Sequence, residues 1–327
     1  MIKILSLFSG AGGLDYGFSK APFNITHAIE NDKTIWATYE KNYPKTLLLK
    51  QDISKIESSY LNDFKFQGLI GGPPCQSWSC AGKQEGLKSS KGQLFLEYLR
   101  ILKITNPLFF VAENVKGILS KKHSESLNFI LNSFKELKYK IFIMLLNAND
   151  FGVAQERERV FFIGFQEKLN IDDFSIKKEK DRKNLEIIRD LSNSAKGTTF
   201  QSLKSICSFP NHEYLTSGFS PQFMSRNRVK AYNECSYTIL ASARHIVLHP
   251  QAPKMIKISK DLFEFDNANL PLYRRLSVRE CARIQSFPDD FIFEYNSIYD
   301  GYKMVGNAVP PKLSIKIAEE IKNKLKL

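Results

Sequence analysis

The stretch Ile2-Lys3-Ile4-Leu5-Ser6-Leu7-Phe8-Ser9-Gly10-Ala11-Gly12-Gly13 decides the fold. Ile2 to Leu7 alternates in polarity and reads as a strand. It runs into the glycine-rich turn Ser9 to Gly13, where a helix starts and continues past Phe18. A strand, a glycine-rich turn and a helix together point backbone N–H groups at a nucleotide. A second apolar run near Ile25 to Ile29 ends at Glu30, about 20 residues after the turn, the spacing at which an acid accepts hydrogen bonds from ribose hydroxyls. A third run, Leu47 to Leu49, ends near Asp52, where a carboxylate can receive an adenine amino group. No lysine follows the turn in a Walker pattern, so nothing clamps a triphosphate. The pattern fits a zwitterionic nucleoside such as S-adenosylmethionine. Glu30 taken alone reads equally well as a surface acid at a strand end.

Outward from this stretch, Gly68 to Ile70 is a short buried strand and Leu94 to Ile104 has helical periodicity. Leu108 to Ala112 is a strand ending in Glu113-Asn114, and Leu127 to Leu137 is a helix. Ile141 to Leu146 and Val160 to Gly164 are strands flanking Gln155-Glu156-Arg157-Glu158-Arg159. The alternation predicts an α/β fold, a doubly wound and mostly parallel sheet covered on both faces. After Phe165 the character changes. Residues 196–260 carry nine basic and two acidic side chains, with weak periodicity, and read as a smaller loop-rich domain. Leu276 to Ile284 and Leu313 to Leu325 return to helical periodicity, the latter after the turn Gly306 to Pro311.

The chain has 327 residues, 43% of them hydrophobic, ample for a packed core. A net charge of +13 points to a polyanionic partner, unless it reflects only a lysine-rich background. The five cysteines are scattered, without metal-ligand spacing, and read as reduced thiols in a cytoplasmic protein. No metal is expected. No signal peptide or membrane-length apolar run is present.

Gly71-Gly72-Pro73-Pro74-Cys75-Gln76-Ser77-Trp78-Ser79 follows the Gly68 to Ile70 strand. Two glycines and two prolines end that strand and stiffen the turn holding Cys75 at a sheet's ligand-binding edge. Cys75 alone is as readily a small buried hydrophobe as a nucleophile. Glu113-Asn114-Val115 could cap a helix, and the Gln155 to Arg159 run could be a solvated charged segment. Together, beside strands that end on one rim, Cys75, Glu113, Arg157 and Arg159 offer a nucleophile, an acid and two cations, the set needed for addition to a cytosine ring, the substrate implied by the family resemblance given next. A thiolate adding to C6 makes C5 nucleophilic. A carboxyl at N3 gives general-acid help, and an arginine at O2 adds electrostatic stabilisation.

These motifs resemble the DNA cytosine-C5 methyltransferases nearly end to end. PPCQS, AENVKG (Ala112 to Gly117), QERERVFFIGF (Gln155 to Phe165), LSVRECARIQSFPDDF (Leu276 to Phe291) and YKMVGNAVPP (Tyr302 to Pro311) all read as family motifs. The resemblance implies that Cys75 is the nucleophile, that Glu113 contacts a base flipped from the duplex, and that Arg157 and Arg159 touch base and Cys loop. It implies cofactor contacts from Phe8, Gly10, Gly12, Glu30, Asp52, Ile53, Pro73, Leu94, Asn307 and Ala308. Gln76 and Ser77 are expected to help fill the gap in the base stack, and Ser77 to Gly86 reads as a loop that could close over the base.

Pro210 to Pro253 resembles the target-recognition region of the bacterial GGCC-modifying members, in which the inner cytosine is methylated. Arg226, Arg228 and Arg244 would then read guanine, with phosphate contact as the alternative for each. Ala241 to Val247 is less similar than its flanks. The domains implied are 1–170 plus 288–327 for catalysis and cofactor binding, and 171–287 for recognition. The partner is double-stranded DNA, bound by a monomer without membrane attachment. A cognate restriction endonuclease would share the site without needing to bind. A tRNA methyltransferase on the same scaffold and a non-enzymatic DNA binder are the competing readings. Retention of Cys75 and Glu113 argues against the binder.

Overall fold

β1 (Ile2–Leu7) lies in the middle of a seven-stranded sheet with β2 (Phe23–Ile29), β3 (Leu47–Leu49), β4 (Gly68–Gly71), β5 (Phe109–Val115), β6 (Tyr139–Asn147) and β7 (Glu158–Gln166). The structure, a computed structural model, describes residues 1–20, 22–73, 90–191, 194–199, 207 and 209–327. Cys75, Gln76, Ser77 and the Ser77 to Gly86 loop lie outside the described residues. The strand order is β3-β2-β1-β4-β5-β7-β6. β1 to β5 are parallel, and β7 runs antiparallel between β5 and β6. The chain winds outward from β1 to β3 by way of α1 (Asp15–Phe18) and α2 (Trp36–Asn42), then passes α3 (Ser58–Asn62) and restarts at β4 on the other side. The gap beyond the C-terminal ends of β1 and β4 is therefore the switch point where such sheets take ligands.

Five of the six β1 residues are buried, because both faces of the sheet are covered. Ile2 and Ile4 face α1 (Asp15–Phe18) and the C-terminal α8 (Pro311–Lys324), packing with Phe18, Leu313, Ile317 and Ile321. Leu5 and Leu7 face the opposite layer, where Phe95, Tyr98 and Ile101 of α4 (Ser90–Thr105) meet Phe134 of α5 (Ser124–Glu136). α8 thus folds back beside the first strand, as expected from the sequence. Gly17 makes this close: its N–H donates to Ser314 Oγ at 3.1 Å, and a Cβ there would lie 2.4 Å from Ser314 backbone atoms.

Three sequence expectations are corrected. The first helix ends at Phe18 instead of passing it. Pro22 cannot continue a helix; its carbonyl accepts from Ile2 N–H, and Phe23 already begins β2. The Glu113-Asn114 pair does not end its strand. β5 runs on to Val115 because Val115 pairs with Arg159 of β7. A helix absent from the sequence reading, α7 (Ile298–Asn307), precedes the turn into α8 and is capped by the Ser297 side chain. Pro311 then occupies the first turn of α8, where its missing N–H costs nothing.

Residues 185–287 are loop-rich. They carry two small sheets, β8 (Lys196–Thr198) with β9 (Glu213–Leu215), and β10 (Ile256–Ser259) with β11 (Leu262–Glu264). Phe223, Val229, Leu248, Met255 and Tyr273 form a small core of their own. Leu185, Ile188, Ile239 and Val247 instead share a core with Tyr39, Tyr43 and Tyr302. α6 (Val278–Ile284) opens with a reciprocal capping box between Ser277 and Glu280. Its Arg279 is fully buried and donates to the carbonyls of Pro210, Pro288 and Phe291, so it is structural; Cys281 is a core residue.

Gly17→Ala tests the α1–α8 contact. Alanine favours helix over glycine by about 1 kcal/mol, whereas overpacking costs about 1–3 kcal/mol. The unyielding Ser314 backbone makes packing win, so a net loss of unfolding free energy is expected in urea titration.

Candidate active site

A cleft of about 590 Å³ opens at the switch point. Phe8, Gly10, Glu30, Asp52, Ile53 and Leu94 line one part, and Asn307 and Ala308 another. Gly72, Pro73, Glu113, Arg157 and Arg159 line it as well. The expected cofactor residues and the expected catalytic charges therefore share one cavity. Gly12 is the exception and does not line it. Its φ of +88° and the Tyr43 ring, 2.2 Å from where a Cβ would sit, make it a packing glycine beneath the turn. Tyr43 OH donates to its carbonyl at 2.5 Å.

The turn is strained and braced. Phe8 has φ +52°, a left-handed conformation costing about 1–2 kcal/mol for a residue with a Cβ. Ser9 N–H donates to the Ile29 carbonyl at 3.2 Å. Gly10 N–H donates to Glu30 Oε2 at 2.8 Å, and Asp32 N–H to Glu30 Oε1 at 2.7 Å. Glu30 thus ties the turn after β1 to the end of β2. Burial pushes its carboxyl up, and these backbone donors pull it back. Asp52 caps the short turn Ile53–Lys55, accepting from Ser54 N–H at 2.9 Å and Ser54 Oγ at 2.7 Å. Those bonds hold it below the usual carboxylate range, so it is a charged acceptor. Lys303 of α7 donates to Asp32 at 2.8 Å and anchors the other wall.

Asp15, not singled out in the sequence, is fully buried and lines the cleft. Ser6 Oγ donates to its Oδ1 at 2.7 Å and Tyr39 OH to its Oδ2 at 2.5 Å. Burial raises it from 3.8 to about 6, against the pull of those two donors. Its partners lie 9 and 24 residues away, so no local pattern marks it.

Glu113 and Arg159 form an ion pair, Nε to Oε1 at 3.0 Å. Side-chain exposure is 17% for Arg159 and 12% for Glu113, which keeps the pair out of bulk water. Burial raises the Glu113 carboxyl, and the charges of Arg159 and then Arg157 offset part of that. Gly72 gives it room: a Cβ there would stand 3.1 Å from Glu113 Oε2. Arg157 lines the same cleft and is anchored by backbone as well. It is 1% exposed, and it donates to the carbonyls of Ile239 at 3.2 Å, Gly306 at 2.9 Å and Ala308 at 3.0 Å. It ties the residue before β7 to two other parts of the chain, at 239 and at 306–308.

Arg226, Arg228 and Arg244 gather around His245, whose pKa is lowered by burial and then by their positive field. Arg226 and Arg244 are exposed. Arg228 is not: its Nε donates to the Phe223 carbonyl and its Nη2 to that of Gln222, both at 2.8 Å. Burial lowers it to about 10, still charged at neutral pH. Its first task is to shape the loop. Among the described residues, no cluster of three potential metal ligands occurs and no helix is long and apolar enough to cross a membrane.

The family model described as C-5 cytosine-specific DNA methylase matches residues 2–323. The chain is 54% identical over 330 residues to the type II methyltransferase M.FnuDI of Fusobacterium nucleatum, covering 99% of this chain and 95% of the relative. It is 49% identical to the type II methyltransferase M.NgoPII of Neisseria gonorrhoeae, covering 99% and 96%. Among solved structures, a DNA modification methyltransferase encoded within an E. coli prophage matches with a TM-score of 0.76 at 23% identity, covering all of both chains. The Entamoeba histolytica methyltransferase EhMeth matches with a TM-score of 0.73 at 17% identity, covering 100% of this chain and 99% of that one.

Asp15 carries a pH prediction. Its folded pKa of about 6 exceeds the ordinary 3.8, so its contribution is greatest below pH 4 and is lost as pH rises through 6. Asn in its place does not titrate. The unfolding free energy of Asp15→Asn relative to the native protein should therefore rise by about 3 kcal/mol between pH 4 and pH 8, as read by denaturant titration at each pH.

Proposed function

Because the chain belongs to the C-5 cytosine-specific DNA methylases, and so is a DNA cytosine-C5 methyltransferase, we propose a specific course for its reaction and a specific target. The observation that carries the proposal is the buried Glu113–Arg159 pair in the same cleft as the braced glycine turn, Glu30 and Asp52.

The cleft suits S-adenosylmethionine. Its nucleoside end offers the carboxylates Glu30 and Asp52 to hydroxyl and amino donors, and Phe8 and Leu94 offer apolar cover. Its lining cations are engaged, Arg159 with the Glu113 carboxylate and Arg157 with backbone carbonyls, so among the described residues no phosphate clamp is on offer. Asn307 and Ala308 close the opposite side. When bound there, S-adenosylmethionine supplies a methyl group made electrophilic by its sulfonium.

In the proposed mechanism the target cytosine leaves the duplex, at a cost of a few kcal/mol, and enters beside Glu113. The Cys75 thiolate forms a bond to C6. Electron density moves toward N3, and Glu113 supplies the proton that N3 takes up. Its raised pKa suits this, because burial keeps a proton available at higher pH than on a solvated glutamate. Arg159 fixes the carboxyl and stabilises charge at O2. C5 becomes the nucleophile and accepts the methyl group. A base then takes the C5 proton, the C6–sulfur bond breaks, and the N3 proton returns. Arg157 contributes by holding Gly306 and Ala308 in place.

We further propose that residues 171–287 form the target-recognition domain, built on the small Phe223–Leu248–Tyr273 core. The exposed Arg226 and Arg244 read guanine there, with GGCC as the site and its inner cytosine methylated. The relatives M.FnuDI and M.NgoPII carry type II methyltransferase names, which supports placing this enzyme as the modification half of a type II restriction-modification system.

Three experiments test this. Duplex oligonucleotide containing 5-fluorocytosine, incubated with enzyme and S-adenosylmethionine, should yield a covalent adduct absent from Cys75→Ala; sequence-specific binding without an adduct would overturn the mechanism. Glu113→Gln should lower kcat by about 10²–10⁴-fold while leaving cofactor affinity, measured by calorimetry, nearly unchanged. Bisulfite mapping of DNA modified by the pure protein reports the site directly. Marks outside GGCC would sink the specificity but not the chemistry.

A further inference from the structure

A buried chain of amides links the segment before Arg244 to the cofactor side of the cleft. Ile239 N–H donates to Gln155 Oε1 at 2.7 Å, Gln155 Nε2 donates to Gln285 Oε1 at 2.7 Å, and Gln285 Nε2 donates to the Val305 carbonyl at 2.9 Å and, more weakly, to that of Ala308 at 3.4 Å. Both glutamines are 0% exposed. Their orientation follows from the ends of the chain. A backbone N–H at Ile239 requires an oxygen from Gln155, and a carbonyl at Val305 requires an N–H from Gln285. Only Gln155 N–H to Gln285 oxygen then completes the path.

Two other contacts follow the same route. Arg157 donates to the Ile239 carbonyl and to those of Gly306 and Ala308. The Leu240–Ala241 backbone lies against Gly306, where a Cβ would stand 2.4 Å from Ala241 N. The peptides at 239–241 and 305–308 are therefore joined on both sides of Ile239, with no water-filled gap needed between them. Neither glutamine lines the cleft.

We propose that Gln155 and Gln285 are positioning residues that couple target engagement to cofactor retention. A shift of 236–241 on binding duplex is passed through the two amides to the Val305–Ala308 wall. The inference rests on the reading of residues 171–287 as the DNA-recognition domain. Coupling of this kind is reciprocal: duplex tightens the cofactor by the same factor as cofactor tightens the duplex.

The test uses the full chain, the non-reactive cofactor analogue sinefungin, and a duplex first shown to be methylated by the unaltered enzyme. Sinefungin affinity is measured with and without saturating duplex for the native protein and for Gln285→Met, which keeps length and loses the donor and acceptor. The native protein should bind sinefungin about fivefold or more tighter with duplex present. The variant should match it without duplex and lose the enhancement to within roughly twofold of none, with duplex affinity in the absence of cofactor unchanged. A folded variant that keeps the enhancement overturns the proposal, as does a native protein that shows none. Duplex affinity unchanged by the double substitution Arg226→Ala, Arg244→Ala would instead overturn the recognition reading. Should Gln285→Met not fold, amide exchange in the native protein decides. Sinefungin alone should slow exchange at Ile239, and an unchanged rate there overturns the coupling.

Discussion

The register between β5 and β7 is the constraint on which the site depends. Arg159 pairs with Val115 and Phe161 with Glu113. Residues paired across antiparallel strands share a face, and so do residues two apart on one strand. Glu113 and Arg159 are thus diagonal neighbours on one face, which allows the 3.0 Å contact between them. A slip of one residue would send one of the pair to the opposite face. Each would then be a charge facing a packed layer without its partner, which costs several kcal/mol. The antiparallel insertion of β7 into an otherwise parallel half-sheet is what fixes this register.

Once that pair is set, the remaining charges sort by what surrounds them. Arg157 lies just before β7, where Ile239, Gly306 and Ala308 converge. In that dry place a guanidinium donates to three carbonyls, of which that of Ala308 has a second, weaker donor in Gln285; a carbonyl left unpaired there would cost about 1–3 kcal/mol. Arg159, two residues on, emerges at the cleft and keeps its charge for Glu113. Glu30 shows the same division. Its two oxygens brace Gly10 and Asp32, and the strained Phe8 is held between the Ser9 and Gly10 bonds. Strain at a ligand-facing residue persists only where neighbours over-determine it, and here the neighbours come from the adjacent strand.

Much of this was legible because parallel strands buried on both faces read as apolar runs, and their ends coincide with the residues that face a ligand. β1, β3 and β4 are bounded to within a residue, and Glu30 and Asp52 are legible from where their strands end; Glu113 is legible at the end of an apolar run, although β5 continues to Val115. What failed to read was long-range. Arg157 and Arg159 share charge, spacing and neighbours, and only contacts some 80 and 150 residues away separate them. Arg228 alternates with Arg226 in the same way, and a fold of the local loop onto its guanidinium decides which is buried. α7 was missed because its buried positions include Gly301 and Gly306, whose small size serves close contacts with Tyr295 and Ala241 but dilutes the apolar stripe.

The two halves of the chain meet across a polar joint, and this bears on how the enzyme handles its substrate. A joint sealed only by apolar side chains tolerates small sliding, since dispersion contacts have no strong direction. Hydrogen-bonded amides buried together are directional, and breaking one leaves a desolvated group behind. The buried bonds from Gln155, Gln285 and Arg157 to the backbone at 239 and 305–308 therefore make the joint stiff in register while leaving its two sides chemically ordinary. The polar bonds that keep the exposed Arg226 and Arg244 at a set distance from Glu113 are the ones that join the recognition segment to the wall of the cleft. On the roles proposed for these residues, reading a sequence and presenting its cytosine to Glu113 are governed by one geometry.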